Sequence, residues 1–132
     1  MTIARRVNLR NLKQVMEAKV KVNRYAGFEV ALKLAAKEMH WGEVQSEFRF
    51  HPIRRWRSDF AIPEAKLLIE IEGGFWIAGR HNRGGGGIAD MCKYNTAAII
   101  GYSVLRFTPQ QANKLEAVGV IGEWFAERGR AG

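Results

Sequence analysis

The stretch "RSDFAIPEAKLLIEIEGG", residues 57–74, holds two β-forming runs on either side of a proline. RSDFAI, 57–62, is a short β-forming run stopped by Pro63, which has no N–H to give a ladder. KLLIEIEG, 66–73, is a second run, leading into glycines. Two strands joined by so short a turn pair antiparallel. Side chains alternate along a strand, so Glu70 and Glu72 share one face, and Asp59 lies across from them on the neighbouring strand. Like charges repel, and burying either glutamate is costly unless it is paired. The stretch therefore asks for positive charge. Two sources are open: a divalent cation, or arginines beside solvent-facing glutamates. An oxygen-only donor set of this charge suits Mg²⁺ or Mn²⁺.

Ahead of these two runs, "VQSEFRF", 44–50, alternates Val44, Ser46, Phe48 and Phe50 against Gln45, Glu47 and Arg49, and reads as a half-buried strand. It completes a three-stranded antiparallel meander. Upstream, "GFEVALKLAAKEMH", 27–40, has apolar residues at 28, 31, 32, 35 and 39 and reads as a helix on the core. Downstream, residues 73–87 hold seven glycines and read as a long functional or linking loop. "IADMCKYNTAAIIG", 88–101, is a helix with apolar positions 88, 91, 92, 98 and 99. "YSVLRFT" is a fourth strand, and following a helix it is expected to pair parallel with an earlier one. Pro109 opens a last helix with Leu115, Val118, Ile121, Trp124 and Phe125 inward. The expected architecture is α/β: a mixed four-stranded sheet, meander plus one parallel strand, flanked by helices.

The 132 residues suit one domain, expected over 25–132 behind a basic arm or helix at 1–24. The formal charge is +8, from 21 Lys and Arg against 13 Asp and Glu. Seven of the basic residues, Arg5, Arg6 and Arg10 among them, stand in the first 24 positions against one acid. Such an excess points to a polyanionic partner, most simply DNA. The bland alternative for the arm is a solubilising tail. No apolar run is long enough to span a membrane, and the N-terminal residues lack the apolar core of a secretory signal. One cysteine, Cys92, excludes an internal disulfide and a cysteine-rich zinc site, and reads as a small buried hydrophobe. A cytoplasmic location is expected.

"RFHPIRRWR", 49–57, sets Arg49, Arg54, Arg55 and Arg57 among Phe50 and Trp56. Arginines hold phosphates, and Trp56 either stacks on a base or belongs to the core. Trp76 is a weaker stacking candidate; Trp124 reads as core. In "GRHNRGGGG", Arg80, His81 and Arg83 stand beside glycines that let backbone approach a phosphate. His81 is either a general acid or phosphate ligand, or a residue of a soluble linker. Asp90 and Lys93, at i and i+3, either position the metal ligands, with Asn95, or form a helix ion pair.

"RRWRSDFAIPEAKLLIEIEGG" and "GRHNRGGGGIADMCKYNTAAIIGYSVLRFTP" resemble phage and prophage endonuclease-domain proteins of the PD-(D/E)XK superfamily, relatives of restriction-endonuclease-like and very-short-patch-repair-like proteins. The likeness covers roughly residues 28–112. It implies a restriction-endonuclease-like core and metal-dependent hydrolysis of DNA phosphodiesters. It implies Asp59 as central metal ligand, Glu70 as the second, and a contact from the backbone carbonyl of Ile71. It further implies an acid on the first helix (Glu29, with Glu38 the lesser choice) and roles for His81 and Asp90. Glu72 stands where the superfamily signature has lysine. Either Glu72 acts as base or second-metal ligand, or a cation arrives from Lys93, His81 or Arg83. A DNA-binding protein without catalysis is the alternative. Cutting both strands symmetrically implies a homodimer.

Overall fold

A computed structural model describes residues 24–72 and 85–131, with side chains from 88 to 130 in the second stretch. Expectations for Arg5, Arg6, Arg10, Trp76, Arg80, His81 and Arg83 lie outside the described residues. The elements are α1 (Ala26–Met39), β1 (Gln45–Arg49), β2 (Arg57–Ile62), a 3-10 turn (Pro63–Ala65), β3 (Leu67–Ile71), α2 (Gly85–Ile99), β4 (Ser103–Phe107), α3 (Pro109–Asn113) and α4 (Glu116–Ala131). The sheet order is β1-β2-β3-β4. β1/β2 and β2/β3 are antiparallel and β3/β4 is parallel, as the sequence predicts. Among the described residues no helix is long and apolar enough to cross a membrane.

All five residues of β3 are buried, because helices cover both sheet faces. One face carries Phe60, Ile62, Leu67, Ile69, Ile71 and Phe107, packed by Phe28, Leu32 and Ala36 of α1 and by Ala112, Ala117 and Ile121 of α3 and α4. Each fully buried Leu or Ile there contributes about 1.5–3 kcal/mol. The other face is a smaller cluster of Phe50, Ala61, Leu68 and Ala97, with Trp56, Tyr102 and Val104 against it. By strand alternation Arg57, Asp59, Glu70, Glu72 and Arg106 fall on this second face, under α2.

Four expectations need correction. Val44 packs on the first face, but Phe48 and Phe50 pack on the second, although all three share one parity. Between them Glu47 takes a left-handed backbone, φ 49°, which breaks the alternation. α2 forms where expected, but Ile88, Met91 and Ile99 are solvent-exposed. Its inward residues are Lys93, Tyr94, Thr96 and Ala97. The hydrophobic pattern named the wrong face because polar chemistry faces inward. Cys92 is likewise exposed, not buried. The last helix is two helices, broken at Leu115, which has φ 64° and is half exposed. The first of them begins at a capping box, Thr108 with Gln111.

Candidate active site

Main-chain pairing of β2 with β3 runs from Ile62↔Leu67 to Phe60↔Ile69. Beyond it, two side chains of β2 bridge to β3. The fully buried Ser58 hydroxyl accepts the Ile69 N–H at 3.2 Å and donates to the Phe60 carbonyl at 2.6 Å. Oδ2 of Asp59 accepts the Ile71 N–H at 2.8 Å. A residue's N–H and C=O point to the same side of a strand. The Ile71 carbonyl therefore faces the β2 side, as its N–H does. The next peptide confirms the direction: the Glu72 N–H turns the other way, to the Phe107 carbonyl of β4 at 2.8 Å.

Glu70 precedes the residue that Asp59 holds and lies close enough to feel the Asp59 charge. Glu70 is only 7% exposed. Its Oε1 accepts from Nζ of Lys93 at 2.8 Å, and that Nζ also donates to the Arg57 carbonyl at 2.6 Å. Burial pushes the Glu70 carboxyl up to about 7; the Lys93 hydrogen bond and charge oppose this, while Asp59 and Glu72 add to it. The acid is thus poised near neutrality, beside a lysine delivered from the covering helix.

Glu72 has a different environment. Arg106 grips it with two bonds, Nε to Oε1 and Nη2 to Oε2, both 2.7 Å. The Tyr94 hydroxyl donates to Oε1, also at 2.7 Å. Burial alone would raise its carboxyl, but the bonds from Arg106 and Tyr94 outweigh that and hold it below the ordinary value. Burial and then Glu72 push the Tyr94 phenol upward, so it stays a donor. The Arg106 guanidinium, raised first by its bonds to Glu72, lies 4.6 Å from the Tyr94 ring centroid. Glu72, Tyr94 and Arg106 form one closed polar unit.

The structure thus brings Asp59, Glu70, Ile71, Glu72 and Lys93 to one end of the sheet. Glu29 lies apart: α1 packs on the opposite face, and Glu29 pairs with Lys33 of its own helix at 3.3 Å. Glu38 is exposed on the same helix, and Asp90 and Asn95 are exposed on α2. Arg54, Arg55 and Arg57 are exposed near the same sheet end, and none has an acidic partner among the described residues. Trp56 is half-buried, its ring stacked on Phe50 and edge-on to His51, so it belongs to the scaffold. Sequence reasoning missed Ser58, Tyr94 and Arg106. Arg106 had a readable signal: it interrupts an apolar strand at the parity of Val104, the parity that faces α2.

Among the described residues no three His, Cys, Asp or Glu side chains converge as a metal cage. The arrangement still fits a hard divalent ion of low protein-ligand count. Mg²⁺ keeps several waters and takes one or two carboxylates. Asp59, Glu70 and the Ile71 carbonyl offer oxygens only, the donor type such an ion takes.

No family model matches the chain, and no curated protein matches it in sequence. A solved structure, the "Homing Endonuclease I-Bth0305I Catalytic Domain", is similar to it with a TM-score of 0.50 and 23% identity, over 76% of this chain and 94% of that one. The chain shares the fold of an endonuclease catalytic domain.

Proposed function

We propose that this protein is a metal-dependent DNA endonuclease of the PD-(D/E)XK kind, hydrolysing phosphodiester bonds at the end of β3. The observation that carries the reading is the trio of Asp59, Glu70 and Lys93, two neighbouring carboxylates and an ammonium from the covering helix, on a nuclease-like fold. Asp59, Glu70 and the Ile71 carbonyl would hold Mg²⁺ or Mn²⁺. When bound, such an ion supplies Lewis acidity to the phosphoryl group and makes water more acidic.

Lys93 takes the place of the lysine that Glu72 displaces from the signature. Two of its three N–H donors go to Glu70 and Arg57 among the described residues, leaving a third for the phosphate or a water. Glu72 serves as a positioning residue: it fixes Tyr94, next to Lys93, and thereby the turn of α2 that presents the ammonium. Arg54, Arg55 and Arg57 bind DNA phosphates, with Arg80, His81, Arg83 and the basic N-terminal segment as further proposed contacts. Binding of this sort is largely sequence-independent and weakens with salt. Nicking or structure-specific cutting suits so small a domain; cutting both strands requires two copies.

A second reading, a DNA-binding protein without catalysis, draws on one observation: Lys93 already neutralises Glu70 without metal. The deciding experiment incubates supercoiled plasmid, single-stranded DNA and a four-way junction with Mg²⁺, Mn²⁺ or EDTA. Metal-dependent cutting that Asp59→Asn abolishes supports the nuclease. Salt-sensitive binding with no cutting in any metal supports the second reading.

A further inference from the structure

The segment between β1 and β2, residues 50–56, is short, ordered and unusual in what it exposes. Ile53 is 83% exposed at its apex, the most exposed large apolar side chain among the described residues. A single exposed isoleucine commonly means nothing. This one is held out by a built turn. His51 Nδ1 accepts both the Ile53 N–H, at 3.1 Å, and the Arg54 N–H, at 2.8 Å. Pro52 fixes the backbone between them. The His51 ring rests edge-on against Trp56, which stacks on Phe50 in the core. The Arg54 guanidinium lies over a Trp56 ring, 4.9 Å from its centroid. The apex is thus a rigid apolar tip set among Arg49, Arg54, Arg55 and Arg57, all exposed.

We propose that Ile53 is a wedge that enters a base step of duplex DNA while the flanking arginines hold the phosphates. The inference rests on the reading of the protein as a DNA-acting enzyme, and adds how the duplex is engaged. Apolar side chains flanked by basic ones kink DNA in this way, partly unstacking the step they enter. The charge around the tip matches the phosphates on either side of a base step, and an apolar tip among arginines has no such complement on a neutral surface. Placement agrees as well. The tip leads into Arg57, whose carbonyl binds Lys93, and Asp59 follows two residues on. Asp59 is six positions after Ile53, so their Cα atoms lie within about 20 Å. That is about six base steps at 3.4 Å each, so the wedge deforms the duplex close to the carboxylates.

The test uses the full chain in EDTA, with a short A·T-rich duplex probed by permanganate, which oxidises unstacked thymines. Expected is a several-fold rise in thymine reactivity at saturating wild-type protein. Ile53→Ala should lose the rise while keeping its affinity within about threefold, because the phosphate contacts persist. Ile53→Met should restore it. Arg55→Ala should weaken binding yet leave reactivity at saturation unchanged. Because Ile53 is exposed, matched thermal melts serve to check folding. Reactivity that persists in Ile53→Ala, or that never rises in wild type bound to duplex, overturns the wedge. Metal-dependent plasmid cleavage by the same preparations keeps the two readings apart: intact cleavage with no unstacking removes the wedge alone, while absent binding and cleavage remove both.

Discussion

Nζ of Lys93 lies 2.8 Å from Oε1 of Glu70, joining a helix to a strand across 23 positions of sequence. The same Nζ is anchored by the Arg57 carbonyl, so its position is set by two elements of the sheet. Lys93→Met should abolish cleavage while leaving DNA binding in place. It should also move the Glu70 carboxyl above its value of about 7, since Lys93 is what lowers it. Carboxyl carbon NMR titration of metal-free protein reads this shift; a carboxyl unmoved by the substitution refutes the coupling.

Glu70 also makes the metal-free fold pH-dependent. Its native value is raised from 4.5 to about 7, so the native state holds the proton more tightly than the unfolded chain. This contribution is fully present below pH 4.5 and is lost as pH rises through about 7. Glu72, held low, acts oppositely: its contribution is present above the ordinary carboxylate value and lost as pH falls through its native one. Urea midpoints of wild type and Glu70→Gln, compared in EDTA, should separate as pH rises from 5 to 8, the variant gaining on wild type. Parallel curves would contradict the assignment.

Asp59→Asn keeps a carbonyl oxygen able to accept the Ile71 N–H, so folding is expected to survive. Outer-sphere partners of a metal typically matter about 10–100-fold, and a direct ligand should matter more. Cleavage should therefore fall beyond that range, with DNA binding unchanged or tighter because a negative charge is gone. Plasmid nicking and a salt-matched binding titration measure both.

The Glu72, Tyr94 and Arg106 unit separates a positioning role from a ligand role. Tyr94→Phe removes one bond to Glu72 and should cost about 1 kcal/mol. Activity should fall, with rescue by higher pH absent, while the metal concentration for half-maximal cutting stays put. If Glu72→Gln instead raises that concentration steeply, Glu72 is a ligand.

At position 47 the strand expectation and the observed backbone give opposite predictions. A β-branched residue favours strands, but Glu47 sits at φ 49°. Glu47→Val should destabilise by about 1–2 kcal/mol, measured by urea unfolding, because a branched side chain suits that region poorly.

The sheet was legible because its signals are local. Pro63 and the glycines bound the strands, and the helix ahead of Tyr102 implies a parallel partner. Asp59 and Glu70 were legible because strand alternation aligns them. α2 was read with the wrong face inward: Ile88, Met91 and Ile99 follow helical spacing, but Lys93 and Tyr94 satisfy the buried Glu70 and the half-buried Glu72, which outweighs apolar burial. Partners of that kind come from distant segments, as Arg106 and Ser58 do, and no periodicity reports them. β1 changed face at a residue with no glycine to announce it.

The outward turn of those apolar residues has a thermal consequence. On the described part of α2 only Ala97 is fully buried, and polar ties to the sheet do the rest. Elements with few buried apolar contacts open at lower free energy than core strands. Amides of α2 should exchange with deuterium through partial opening, well ahead of those of β3. Lys93 rides on that helix. On warming, the ammonium should leave Glu70 at a temperature where the sheet is still intact, so the protein would inactivate before it melts.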